Sequence, residues 1–207
     1  EGSVKPGHKI PIYFNNVHPD EIPATDAIMR LIDSFLYDED GNLSYFTYSA
    51  ADTKHVDKNA SSAGFTVETD INKRVEESFK IDEVLDKFIL VFNLTENPDG
   101  RDNLARTNEY GFDLNRDAAY QTQNESTALT SDLVKWDPMA MVEYHGYVDQ
   151  LLIEPCTGPH DPNYEYDLYE EKMLEQGRTL GRAMIGNTAY SRFLVPATDY
   201  YDGWDDG

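Results

Sequence analysis

Cysteine is nearly absent from this chain of 207 residues: Cys156 is the only one, so no intrachain disulfide can form. Its place after Leu151-Leu152-Ile153-Glu154-Pro155 reads as a packed or loop thiol rather than a nucleophile. Positive charge is also scarce. Lys and Arg number 17 against 39 Asp and Glu, a formal net charge of −22. A field of that sign repels nucleic acid and polyanionic partners, and most of the acid reads as solvated surface. It suits a secreted or a salt-tolerant protein, and we expect an extracellular or cell-surface location. No stretch reaches the roughly 18 apolar residues that a membrane-spanning helix needs. The 40% hydrophobic and 12% aromatic content excludes disorder. Neither an internal repeat nor a low-complexity linker marks a domain boundary, so residues 1–207 read as one domain able to bury a full core.

The remaining pattern alternates strands with helices. Ile10 to Phe14 is a short β-prone run ending at the turn-favouring pair Asn15-Asn16. After Pro23, the residues Ala27, Ile28, Leu31, Ile32, Phe35 and Leu36 recur at helical spacing. Asp38 to Asn42 reads as a turn, because it lacks the alternating ligands and closing Glu of an EF-hand. Residues 38–64 read as a loop with a hairpin, Leu43 to Ser49 returning as Phe65 to Glu68. Ile81 to Lys87 is expected to be a short helix and Phe88 to Phe92 an interior parallel strand. Asn97-Pro98-Asp99-Gly100 has the composition of a tight turn. Glu125 to Trp136 and Asp167 to Ile185 read as helices, Met139 to Tyr144 as a buried strand and Arg192 to Val195 as another strand. The alternation predicts an α/β fold with a mixed, largely parallel twisted sheet flanked by helices on both faces.

Three segments carry chemistry. His18-Pro19-Asp20-Glu21, Asp113-Leu114-Asn115-Arg116 and Glu143-Tyr144-His145 together supply two imidazoles and a carboxylate. That is a catalytic zinc's set of three protein ligands with one position left open. His18 and Glu21 fall at a strand-to-helix junction, with Glu21 just ahead of helix N–H groups that favour a carboxylate. This is not the His-Glu-x-x-His pattern of helix-borne zinc sites. Arg106 and Arg116 lie between these segments, as cations suited to an oxyanion and a terminal carboxylate. Taken singly, each of these residues also has a structural reading. Glu143 shares strand parity with His145 and suits either the site or a supporting role. Glu154 and His160 read as structural, and His8 and His55 carry no argument.

The order His-x-x-Glu, Asn-Pro-Asp-Gly at 97–100, Arg106, Asp-Leu-Asn-Arg at 113–116 and a strand-end His145 resembles the zinc metallocarboxypeptidases of the carboxypeptidase A/B-like group. The resemblance runs from His18 to Tyr147. It implies one Zn2+ per chain held by His18, Glu21 and His145, and a catalytic Arg106 that polarises the scissile carbonyl. It also implies that Asn115 and Arg116 grip the free C-terminal carboxylate of a peptide substrate and that Tyr147 lines a subsite. Asp113 would hold the second nitrogen of His18.

The family's general base is a glutamate on a late strand, preceded by a tyrosine-bearing mobile loop. Residues 199–206 are an acidic, aromatic tail with no candidate for that strand. With a start at Glu1-Gly2-Ser3 and no initiator Met, this leads us to expect an excerpt of a longer protein, incomplete at its C-terminus. Zinc affinity without turnover is then the expectation for residues 1–207 alone. Relatives of this fold also cleave peptidoglycan stem peptides or deacylate amino acids. A non-catalytic domain binding peptides or cell wall is the alternative outside the enzymes.

Overall fold

A computed structural model describes residues 8–37, 40–56, 65–146 and 166–195. The described residues form a mixed α/β fold of eight strands and five helices. In chain order these are β1 (Ile10–Asn15), α1 (Ile22–Tyr37), β2 (Asn42–Thr47), β3 (Thr53–Val56), β4 (Phe65–Thr69), β5 (Val75–Lys80), α2 (Ile81–Lys87), β6 (Phe88–Phe92), α3 (Pro98–Asn103), α4 (Asn124–Trp136), β7 (Ala140–Glu143), α5 (Tyr166–Gly186) and β8 (Arg192–Val195). The chain divides into two compact units, residues 1–43 with 79–147 and residues 44–78 with 148–207.

The first unit is built on a parallel sheet of order β6-β1-β7. Tyr13 of β1 lies in register with Val91 of β6 and Met141 of β7. Parallel pairing brings the C-terminal ends of all three strands to one edge, where loops can carry functional groups. Pairing continues just past that edge, where Asn93 N donates to Phe14 O at 2.8 Å and Tyr144 N to Asn15 O at 2.9 Å. Tyr13, Val17, Ala24, Ile28, Ile81 and Leu114 form its buried apolar core. The apolar face of α1 is anchored there by Ile28, whose complete burial contributes about 1.5–3 kcal/mol. Pro23 sits in the first turn of α1, where its missing N–H costs nothing.

In the second unit β3, β4 and β8 form an antiparallel sheet, and β2 pairs with β5. Close approach fixes two glycines of α5. A Cβ on Gly181 would lie 2.3 Å from the Phe193 ring, and one on Gly186 2.4 Å from the Phe46 carbonyl. Asn187 brackets β2 by accepting from Phe46 N at 3.0 Å and donating to Phe46 O at 2.7 Å.

Helices α1, α2, α4 and α5 and strands β1, β6 and β8 fall where periodicity places them. Other expectations differ. Leu43–Ser49 does not return as Phe65–Glu68: β2 pairs with β5, and β4 pairs with β3 and β8. Pairing is parallel in the β6-β1-β7 sheet and antiparallel in the β3-β4-β8 sheet. β1 is the central strand of the parallel sheet, and the apolar run of β6 is an edge with half-buried side chains. Met139, Met141 and Val142 are exposed, so β7 is not a buried strand. Asn97-Pro98-Asp99-Gly100 opens a helix instead of a free-standing turn. The Asn97 side chain caps α3 by accepting from Gly100 N at 2.9 Å, with Pro98 in its first turn.

Candidate metal centre

The strand β1 delivers His18 through three residues that are locked in place. Asn15 and Asn16 are fully buried and do not form the open turn their composition suggests. The Asn16 amide donates to the carbonyls of His18 and Tyr144 at 3.2 and 3.1 Å, tying the His18 segment to the one that carries His145. Asn15 Nδ2 donates to Glu143 Oε2 at 2.7 Å and to Glu96 Oε2 at 3.1 Å, and Val17 N donates to Glu143 Oε1 at 2.9 Å. Glu143 therefore serves the frame beneath the site.

His18 and Glu21 close a tight turn, with Glu21 N donating to His18 O at 3.2 Å. Gly100 of α3 packs directly on that turn. A Cβ there would meet Pro19 Cγ at 2.5 Å and the Ala105 carbonyl at 2.7 Å, so only glycine fits. His145 follows β7 and returns to the same place.

One nitrogen from each of the two imidazoles converges on one carboxylate. His18 Nδ1 lies 2.9 Å from Glu21 Oε1, and His145 Nδ1 lies 3.4 Å from Glu21 Oε2. The rings meet edge to face at 4.3 Å between centroids. One donor atom from each of His18, Glu21 and His145 falls within 4.8 Å of the others, so the group could hold a metal ion. His18 and Glu21 are buried, while the His145 side chain is 30% exposed and gives the site a solvent side. Gly146 N donates to Glu21 Oε2 at 3.1 Å. Burial works against ionisation of Glu21, but hydrogen bonds and charge from His145 and His18 outweigh it. They hold its carboxyl at about 2, an anion ready for a cation.

The donor set passes a second test. With Nδ1 of His18 turned to Glu21, its Nε2 is buried without a hydrogen-bond partner among the described residues. Asp113 Oδ1 lies 3.7 Å from it, beyond hydrogen-bond range. Asp113 is thus on the expected side of the ring, yet its firm partner is Arg106, whose Nε donates to Asp113 Oδ2 at 2.7 Å. Moving the His18 proton from Nδ1 to Nε2 would give Asp113 its donor and bare Nδ1 towards a metal, the usual outer arrangement around a ligating imidazole.

Arg106 lies beside the group, with Nη1 3.3 Å from His18 Nδ1. Asn115 meets it from the other side, with Nδ2 3.3 Å from His145 Nε2. An amide turned over would offer Oδ1 to the same nitrogen, so Asn115 can serve either tautomer of His145. The backbone of Asn115 is held by Asp113 Oδ1 at 3.0 Å in a 3₁₀ turn, Leu114–Arg116. Arg116 is exposed and donates from Nη1 to Asn115 O at 3.0 Å.

The structure therefore brings His18, Glu21, His145, Arg106, Asp113 and Asn115 into one connected array, with Arg116 at its edge. Tyr147, Glu154, Cys156 and His160 lie outside the described residues. Sequence reasoning missed Asn15, Asn16, Glu96 and Asn108. An asparagine pair joining an apolar strand to a histidine is the one signal that pointed to a buried polar layer. Glu96 is buried, and desolvation pushes its carboxyl up to about 7, only partly opposed by the Asn15 hydrogen bond. Comparison with protein families, with curated proteins and with solved structures finds no match for this chain.

Proposed function

We propose that this chain carries the site of a zinc-dependent carboxypeptidase-like hydrolase, in a fold of the zinc carboxypeptidase kind. The observation that carries the reading is the meeting of His18 and Glu21 with the distant His145, while Arg106 faces His18 and is braced by Asp113. Two nitrogens and a carboxylate suit zinc, and a protein site with three ligands leaves room for water or substrate. Zinc held there supplies an electrophilic centre that polarises a carbonyl and acidifies water.

The chain's own residues bind and orient the substrate. Glu21 contributes the negative charge that keeps a divalent cation in place. Arg106 presents a guanidinium where charge develops on the carbonyl oxygen, the kind of preorganised contribution that dominates many catalytic sites. Asp113 holds that guanidinium by its Nε, so that its outer edge faces His18 and the substrate. Asn115 and Arg116 receive the free carboxylate at the end of a peptide, which turns position into selectivity for the terminal residue. The exposed side at His145 is where such a substrate enters.

Two measurements test this. Metal analysis should find about one zinc per chain, lost in His145→Ala because two remaining ligands hold zinc poorly. Full zinc content in that variant defeats the ligand assignment. An active preparation should shorten peptides with a free C-terminus and spare the same peptides when amidated. Equal cleavage of both ends defeats the carboxylate grip, and binding of free-ended peptides without cleavage favours the non-catalytic binder.

A further inference from the structure

Arg106 and Asp113 flank a loop whose shape is set by one buried side chain, Asn108, only 4% exposed. Its Oδ1 accepts from Tyr110 N at 3.1 Å and Phe112 N at 3.0 Å. Its Nδ2 donates to Gln123 Oε1 at 2.9 Å and Glu125 Oε1 at 3.2 Å. Its backbone closes the same ring, with Asn108 N donating to Phe112 O and Gly111 N to Asn108 O, both at 2.9 Å. Gly111 takes the left-handed turn at φ +81 that lets the chain fold back. An asparagine amide has two donor hydrogens and one two-lone-pair acceptor, and here all of that capacity is used.

We propose that Asn108 is the positioning residue for Arg106, fixing the span between Arg106 and Asp113 and hanging it from the first turn of α4. The inside half of the amide shapes the loop, and the outside half anchors it. The anchor is itself rigid. Gln123 N donates to Asp117 Oδ2 at 2.9 Å, and Thr122 N to Asp117 Oδ1 at 3.0 Å. Glu125 lies in the first turn of α4, where its charge is favoured. A loop of exposed side chains such as Tyr110 and Phe112 would otherwise be free to carry the guanidinium by an ångström or more. That displacement is enough to cost a catalytic group much of its effect.

The consequence for turnover rests on the hydrolase reading, whereas the consequence for Arg106 does not. Asn108→Asp keeps the acceptor for Tyr110 and Phe112 but sets a carboxylate against Glu125 and the Gln123 oxygen, so the loop retains its turn and loses its anchor. In the double variant Asn108→Asp/Glu125→Gln the new amide at position 125 donates and the Gln123 amide turns over to donate as well, restoring complementarity with the polarity reversed. The first readout is the 15N-resolved Nε–H signal of Arg106 in the full chain, assigned by its loss in Arg106→Lys. We expect at least tenfold faster hydrogen exchange at Arg106 Nε in Asn108→Asp, with recovery in the double variant. In peptide hydrolysis by an active preparation we expect kcat to fall at least tenfold with KM within about twofold, again recovered in the double variant.

A folded Asn108→Asp with an unmoved Arg106 signal overturns the proposal, as does a loss that Glu125→Gln fails to rescue. If Asn108→Asp does not fold, Gln123→Ala/Glu125→Ala removes both acceptors instead. Faster exchange at Arg106 then supports the proposal, and an unchanged signal overturns it. A wild-type chain that binds no zinc counts against the hydrolase reading, while the Arg106 signal still decides the role of Asn108.

Discussion

Replacing Glu96 by Gln should stabilise the protein, by an amount that grows as pH rises from 4.5 to about 7. Glu96 lies at the end of the parallel sheet, and its donor among the described residues is Asn15 Nδ2 at 3.1 Å. The same nitrogen serves Glu143 Oε2 at 2.7 Å, so two carboxylates crowd one amide. Burial pushes the Glu96 carboxyl from its ordinary 4.5 to about 7, the Asn15 hydrogen bond opposes the shift, and the Glu143 and Glu125 charges add to it. The native chain therefore holds this proton more tightly than the unfolded chain does. Below pH 4.5 both states are protonated and Glu96 costs nothing. Between 4.5 and about 7 only the native state keeps the proton, and stability falls as pH rises. Above that range the full cost is present, about 3 kcal/mol at 1.36 kcal/mol per unit.

Glutamine has the shape of the protonated acid, and its amide can donate to Glu143 while its oxygen accepts from Asn15. Urea unfolding at intervals from pH 4.5 to 8.5 gives the difference between Glu96→Gln and wild type at each pH. Other titrations, including those behind the net charge of −22, cancel in that difference. The expected curve starts near zero or slightly negative at pH 4.5 and climbs to about 2–3 kcal/mol in favour of the variant by pH 8. A flat difference, or a variant less stable than wild type at pH 8, would refute the picture of a costly buried carboxylate. Because Glu143 shares the amide, the midpoint belongs to the pair.

Glu21 should behave in the opposite sense in metal-free protein. Its carboxyl is held at about 2, so its stabilisation is complete above pH 4.5 and is lost as pH falls towards 2; Glu21→Gln should remove that acid-dependent loss in the same urea series. Gly100→Ala should cost about 1–3 kcal/mol because its Cβ has no room beside Pro19 and the Ala105 carbonyl, and a cost under about 0.5 kcal/mol in urea unfolding would refute that packing. In an active preparation Arg106→Ala should depress kcat with little change in KM, whereas Arg116→Ala should chiefly raise KM. The reverse pattern in steady-state kinetics would exchange the two roles.

Local signals in this sequence were legible where an element is decided by its own residues. The apolar spacing of Ala27 to Leu36 placed α1, and Ile81-Asp82-Glu83-Val84-Leu85-Asp86-Lys87 gave α2 residue for residue. Pairing was not legible. β5 reads Val-Glu-Glu-Ser-Phe-Lys with every residue exposed, so no buried face imprints an alternation on it. Its partnership with β2 depends on chain far away, and a nearer apolar run at Phe65 offered itself as a false return strand. His18, Glu21 and His145, which could hold a metal ion, were recognisable by type and order. Their support was not, because Asn15, Asn16 and Asn108 carry no periodicity. Asparagine signals a turn in isolation, and only burial turns it into a cross-link between strands.

Glu21 and Glu96 show why residue type could not settle the site. They are almost equally buried, at 6% and 8% exposure, and desolvation is the largest influence on each. Yet one carboxyl is held at about 2 and the other pushed to about 7. The difference lies in what each faces. Glu21 meets two imidazole nitrogens and the Gly146 N–H, donors that stabilise an anion. Glu96 meets half of one amide, with a second carboxylate on the other half. The first environment maintains a negative charge at neutral pH in a place that opens to solvent beside His145, which is what a cation needs. The second favours a neutral acid that joins β1 to the chain beyond β6. A metal site needs both, since the ligand geometry survives only if the strand ends beneath it do not separate. Moving the negative charge from Glu21 to the frame would remove the charge a cation needs and loosen the sheet at once.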